Sequence, residues 1–571
     1  MDWTVEHAMD HVVLVLFENR SFDNLLGHLY TRAERPEFEG VEGRTFSNPV
    51  PDWEGLGPIP DTEPGWREGR VHYARAGPDE VDVPNPDPGE EFPHTNTQIY
   101  GVVAEGNRFR SADEMMDHPN LPAAGAEATM EGFVADYISH YRTVRGDLPT
   151  YEQYKQIMRG LTPDHVPVLS TIAQGYAVFD HWFSEVPSQT FPNRSFWTAA
   201  TSSGAVLNSP MAHWYHDNDA PTLFDLLDER GLDWKVYVLD SPLSITGAIH
   251  HSRLDHAYRD RFVPYEEFEE DVQAGTLPAF SLIEPNLLAG HGDYHPPMGD
   301  SMAQGVKLPV DWVQPVDGGE RFLARVYNAF TRAPRERAPE DGGSCAWNSM
   351  LFIGWDEPGG TYDHVAPPPA VPPGDGSSSP VFDFARSGYR VPAVLVSPWV
   401  EPGTIVGAPP GGPPTLQYRH TSLLNTLRHR WGLDGPLTGR DADDSAATFE
   451  GVFTRSEARR DWPAVPIPAE PPAEGPEVTN EQFFGSLGRH LVHGLAHIAH
   501  RDGRAEPGVD AAPDAYDPHQ YLPYTPIPLP TGLFDSAVRA FAWSYFPKLR
   551  GNRDAVGADA PTGPPVPPGS P

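Results

Sequence analysis

The sequence predicts an α/β protein, a three-layer α/β/α sandwich around a mostly parallel sheet, with long loop insertions. Three observations predict it. A continuous apolar run at residues 12–17 has the length and β-branched content of a strand buried on both faces, and largely apolar stretches at 279–283 and 349–355 also read as strands. From residue 11 to 433 such runs alternate with segments of helical periodicity, the mark of βαβ units. Two of the runs stop abruptly on a pair of oxygen-ligand residues, Glu18-Asn19 and Asp356-Glu357, as strands do when they deliver side chains to a site at their carboxyl ends.

The elements follow in order. After the first strand, Ser21 can cap a helix whose apolar residues Phe22, Leu25, Leu26 and Leu29 share one face. Residues 35–93 are rich in proline and acid, show little periodicity, and read as an extended insertion. Residues 111–143 read as helix broken at Pro119 and Pro122, 151–158 as a short helix and 166–175 as an apolar helix. Strands are expected at 176–183, 234–239 and 392–400, and helices at 320–330 and 421–430, the last with its basic residues in the final turn before Gly432. Residues 1–442 are expected to form the sheet domain and 443–554 a helical, proline-rich extension packed on it. Within that extension His490, His493, His497 and His500 fall on one face of a helix over 480–499, more consistent with a packing face than a metal site. Residues 555–571 read as a disordered tail.

Composition bounds the function. The 571 residues carry 41 Lys and Arg against 80 Asp and Glu, a formal charge of −39. That excludes a basic footprint for nucleic acid and electrostatic attachment to anionic lipid. A single cysteine, Cys345, excludes an internal disulfide framework. There is no apolar run of transmembrane length and no basic, apolar leader at the start, so the sequence as it stands is expected to be cytoplasmic, or secreted if a leader was removed.

The acid-tipped strands carry oxygen ligands for a hard or borderline divalent cation: Ca, Mg, Mn, Fe or Zn. Ser195, after Pro192-Asn193-Arg194, is expected near a helix N-terminus, where partial positive charge favours an alkoxide or a phosphate. Arg194 adds charge beside it. His250 and His251 stand in a polar loop, and His291, Asp293 and His295 fall within five residues.

Together Glu18-Asn19-Arg20-Ser21-Phe22-Asp23, Pro192-Asn193-Arg194-Ser195 and Asp356-Glu357-Pro358-Gly359-Gly360-Thr361-Tyr362-Asp363-His364 resemble the phosphoesterase family of bacterial non-haemolytic phospholipases C and AcpA-type acid phosphatases, over residues 10–433. The resemblance implies an alkaline-phosphatase-like fold and a metal held by Glu18, Asn19, Asp356, Glu357 and the nucleophile Ser195. It implies catalytic histidines at His94, His295 and His251, with Arg194, His250 and His291 on the substrate. The reaction expected is hydrolysis of a small-molecule or lipid phosphate ester through a phosphoserine. A catalytically inactive metal-binding or scaffold protein of the same fold is the alternative. A sulfatase is disfavoured because Cys345 lacks a Cys-x-Pro-x-Arg context.

Overall fold

A computed structural model describes residues 3–210, 213–239, 244–254, 258–285, 292–297 and 315–468. His291, the stretch 480–499 and the tail 555–571 lie outside the described residues.

Eight strands form the central sheet: β1 (His11–Phe17), β2 (Ala177–Phe179), β3 (Trp234–Val238), β4 (Phe262–Pro264), β5 (Phe280–Glu284), β6 (Ser349–Trp355), β7 (Ala393–Val396) and β8 (Thr404–Val406). Their order is β8-β2-β7-β6-β1-β5-β3-β4. Only β7 runs against the rest, antiparallel to both β6 and β2. The two longest strands, β1 and β6, are parallel neighbours at the centre, with Leu16 opposite Gly354 and Phe17 opposite Trp355. All seven residues of β6 are buried, as are all of β1 after His11. This is why neither shows a polar alternation in the sequence.

Nine helices matter to the argument: α1 (Phe22–Leu25), α2 (Phe92–Tyr100), α3 (Phe133–Arg145), α4 (Pro167–Gly175), α5 (Thr190–Ala199), α6 (Leu223–Arg230), α7 (Tyr265–Ala274), α8 (Pro315–Phe330) and α9 (His420–Trp431). Consecutive strand residues face opposite ways, and the tips of β1 and β6 show what covers each face. Phe17 packs on Phe322 of α8 and on Tyr294. On the other face a Cβ at Gly354 would stand 3.0 Å from the Trp197 ring of α5, so only glycine admits that close packing. Helices α4, α7 and α8 thus belong to one layer, and α5, α6 and α9 to the other.

The insertion at 35–93 holds more order than its composition suggests. Ser47–Pro49 pairs with Arg70–His72, and Ala74–Arg75 pairs with Arg159–Gly160. The expected strand over 176–183 is two short ones, because Asp180 and His181 interrupt it and Trp182–Phe183 pairs elsewhere, with Tyr418–Arg419. The expected helix over 111–143 is Ala112–Met115 and then α3, with the prolines in the loop between. Helix α2 begins at the end of the 35–93 insertion; its Pro93 sits in the first turn, where no backbone N–H is required. Beyond residue 443 the described chain still joins the main core, Phe449 packing on Phe179, Trp182 and Phe352.

Candidate active site

The register of β1 against β6 brings Glu18 and Asp356 out at the same edge of the sheet, each one residue past the last paired position. Asp356 N–H donates to Phe17 O at 3.1 Å, and Glu18 N–H to Asp293 O at 3.0 Å. Glu18, Asn19, Asp356 and Glu357 are all buried. Glu284, at the carboxyl end of β5, is buried beside them on the neighbouring strand. Asn19 is held at φ +57°, a left-handed conformation that asparagine tolerates better than most residues. Gly359 closes over it: its own φ is +59°, and a Cβ there would lie 2.2 Å from Asn19 O. The Pro-Gly-Gly turn after Asp356-Glu357 is therefore required by close backbone approach.

Helix α5 supplies the cation of this cluster. Arg194 Nε donates to Asp356 Oδ2 at 2.9 Å, and its Nη2 lies 3.2 Å from Glu18 Oε1 and donates to Leu16 O at 3.3 Å. Arg194 thus clamps the two strand tips together, with its Nη1 buried and without a hydrogen bond. Ser195 departs from expectation. The helix starts at Thr190 with Gln189 as N-cap, which puts Ser195 in its interior. The Ser195 hydroxyl donates to Thr201 O at 2.6 Å and receives Asn218 Nδ2 at 3.4 Å, on the side away from Arg194's partners. The hydroxyl at the helix N-terminus belongs to Thr190, buried and one turn before Arg194. Residues four apart share a helix face, so Thr190 shares the face that Arg194 turns to Glu18 and Asp356.

Asn19 is oriented by its neighbours. Its Nδ2 donates to Glu90 Oε2 and contacts His295 Nε2 at 3.0 Å, which commits the amide nitrogen and leaves Oδ1 without a hydrogen bond. His295 Nδ1 faces Pro296 O at 2.7 Å, which fixes a tautomer whose Nε2 accepts. Glu90 also receives Gln189 Nε2 at 3.3 Å, so one carboxylate ties Asn19 to the start of α5. Glu18 Oε1 and Glu357 Oε1 are likewise buried without a hydrogen bond. The electrostatics agree. Burial, then the charge of Asp356, pushes Glu18 well above the usual carboxylate range. Burial, then Glu90 and Asp356, does the same to Glu357. Asp356 is pushed up to about 6 by burial, against the opposing pull of Arg194. Several carboxylates face one guanidinium, and three hard oxygen donors lack a hydrogen bond, Glu18 Oε1 having only its ion pair with Arg194. This set fits a divalent cation. A second group beside it, Asp87, Glu90 and His295, brings its ligand atoms within 4.8 Å of one another.

The other candidate histidines make their own contacts. His94 is buried beneath Gly89, with Nδ1 2.8 Å from Asp136 Oδ1. Burial pushes His94 down, but the Asp136 charge and hydrogen bond outweigh it and bring it to about 9. It is an interior ion pair. His250 Nε2 meets Thr198 Oγ1 at 2.7 Å, on the Ser195 side of α5, and burial pushes it down to about 4. His251 is buried at the start of the short helix His251–Leu254. Sequence reasoning missed Thr190, Glu90, Gln189 and His420, whose Nε2 contacts Asp356 O at 2.6 Å. The spacing of Thr190 and Arg194 was a usable signal; nothing in the Glu90-Glu91 pair distinguishes it from a solvated run.

The phosphoesterase family model matches residues 9–434. Non-specific phospholipase C3 of Arabidopsis thaliana is 30% identical over 484 residues, covering 82% of this chain and 78% of that protein. Non-specific phospholipase C1 of the same plant is 31% identical over 469 residues, covering 80% and 74%. Phospholipase C A of Mycobacterium tuberculosis is 23% identical over 463 residues, covering 75% and 74%. The acid-tipped strands, the Pro-Asn-Arg helix and the Pro-Gly-Gly turn all fall inside the matched span, and the chain belongs to the phosphoesterase family.

Proposed function

We propose that this phosphoesterase cleaves the phosphodiester of a phospholipid on its glycerol side, releasing diacylglycerol and a phosphorylated head group, with the help of a divalent cation. The observation that carries the reading is the set of buried, unbonded oxygens of Glu18, Asn19 and Glu357 at the tips of neighbouring strands. The relatives' names, phospholipases C from a plant and a bacterium, support the lipid diester over a simple monoester.

Glu18, Asn19, Asp356 and Glu357 would hold the cation. When bound it would offset the negative field of the carboxylates and lower the pKa of a nearby hydroxyl. Thr190 is the hydroxyl we assign as nucleophile, in place of Ser195. The partial positive charge at the start of α5 favours both its alkoxide and the incoming phosphate. Its Oγ1 bonds to phosphorus as the bond to the diacylglycerol oxygen breaks, and that oxygen leaves with a proton. Water then attacks the same phosphorus, releasing the phosphorylated head group and restoring the threonine hydroxyl. We assign the proton exchange to His295, whose contact with Asn19 supports that role. Arg194 and Glu90 keep the helix start and the strand tips in register.

The test uses phosphatidylcholine vesicles and a chromogenic phosphate monoester. Dialysis against a chelator should abolish turnover of the lipid, and readdition of one divalent cation should restore it. Acid-quenched turnover should leave a phosphocholine adduct on the peptide that contains Thr190. Full activity after removal of the cation, or an adduct on another residue, would overturn the assignment.

A further inference from the structure

Arg419 and Arg440 are buried completely at the start of α9, and they share one carboxylate. Arg419 is the N-cap residue of this twelve-residue helix. Glu185 is equally buried, and its Oε1 is taken by the backbone N–H of Thr421 at 2.9 Å and the Thr421 hydroxyl at 2.7 Å. Its Oε2 lies 3.3 Å from Arg440 Nη1 without making a hydrogen bond. Each guanidinium spends one nitrogen on a carbonyl: Arg419 Nη2 on Thr415 O and Arg440 Nη2 on Phe384 O, at 2.8 and 2.7 Å. Nε and Nη1 of both arginines are buried without a hydrogen bond. The two are close enough to repel each other, and Glu185 is the carboxylate that acts on both.

Two other buried arginines are each matched by a pair of carboxylates. Arg194 has Glu18 and Asp356, and Arg390 has Asp23 and Asp363. Arg20, also fully buried, has no carboxylate contact among the described residues but spends Nε and Nη1 on Tyr294 O, Asn24 Oδ1 and Val83 O; at α9 one carboxylate serves two guanidiniums, each with a single hydrogen-bonded nitrogen. One net positive charge, three buried guanidinium nitrogens with neither a hydrogen bond nor a carboxylate, and the positive end of a helix all favour an anion here.

We propose that a monovalent inorganic anion of halide size binds between Arg419 and Arg440 at the N-terminus of α9. One net positive charge sets the valence, and the complete burial of all three side chains sets the size. The site is separate from the phosphoester chemistry: none of its three charged side chains hydrogen-bonds to Glu18, Asn19 or Asp356.

The full chain is exchanged into gluconate, and its thermal midpoint is followed as chloride or bromide replaces gluconate at constant ionic strength. A saturable rise of about 2 °C is expected with either halide at tenfold its dissociation constant. Arg440→Met should remove that dependence. Because that variant can fail to fold, crystals of the wild-type protein grown in bromide give a second measurement, an anomalous peak beside the Nε atoms of Arg419 and Arg440. A midpoint that follows ionic strength alone, or bromide crystals without that peak, would overturn the proposal.

Discussion

At the scale of single residues, the site is a matter of which atoms are already spent. The Ser195 hydroxyl is buried and committed to Thr201 O and Asn218, while Thr190 stands at the helix start on the face of Arg194. Thr190→Ala should therefore lower kcat by about a thousandfold or more, the scale of removing a nucleophile, with the fold intact by circular dichroism. Ser195→Ala should keep kcat within about tenfold and instead cost about 1 kcal/mol of stability, the worth of a lost buried hydrogen bond. Equal kinetic losses in the two variants would sink the choice between them. Glu90 makes a second residue-level case. A carboxylate accepts from both Asn19 and Gln189; the amide of Glu90→Gln turns one of those bonds into two donors facing each other. Cation affinity, read by calorimetry, should fall about 10- to 100-fold, as for other groups that orient a ligand, while the thermal midpoint changes little.

Between residues and the whole fold, the elements show what was legible and what was not. The buried strands β1 and β6 were plain from their unbroken apolar runs, and their acid tips meet because parallel neighbours end together. Asp180 and His181 broke a run that composition alone extends to Phe183. Ser195 was assigned to a helix start because Pro192 reads as a boundary; the helix instead begins two residues earlier and carries the proline in its first turn, where the missing N–H costs nothing. Glu90 and Gln189 escaped notice because their meaning lies in contacts about a hundred positions apart, which no local pattern encodes. The glycine turn was legible as a turn but not as a wall. Gly359→Ala would drive a Cβ against Asn19 O, whereas Gly376, at φ +89°, has nothing within 4 Å of its Cβ position. Gly376→Ala should cost about 1 kcal/mol of stability and leave activity unchanged. Gly359→Ala should in addition displace Asn19 and remove most of the turnover; a Gly359→Ala enzyme with normal kcat would show that the Asn19 backbone can move freely.

Across the whole molecule, a buried ion network fastens the segment after β6 to the helix after β1 and makes stability depend on pH. Arg390 joins Asp23 of α1 to Asp363, and His364 sits between Asp23 and Glu39, at 2.6 and 3.1 Å. Burial pushes His364 down, but the charge and hydrogen bonds of Asp23, with Glu39, more than reverse this and bring it to about 9 from 6.5. A folded pKa above the unfolded one means that the native state binds the extra proton. The stabilisation is complete below about pH 6.5 and is lost as pH rises through about 9. Asp356 and Asp363, held at about 6, have finished titrating by then, whereas Glu320, pushed up to about 7 by burial, loses its proton in the lower part of this window and in the same direction, so a His364 variant is what isolates the imidazole. His94, also at about 9 beside Asp136, contributes in the same direction. Denaturant unfolding should therefore show stability falling between pH 7 and pH 9.5, by up to about 3 kcal/mol for each imidazole. His364→Gln should be less stable than wild type at pH 6.5 and should lose less on going to pH 9.5. If the variant and the wild type lose stability in parallel over that window, His364 is neutral in the native protein, and the fastening rests on Arg390 alone.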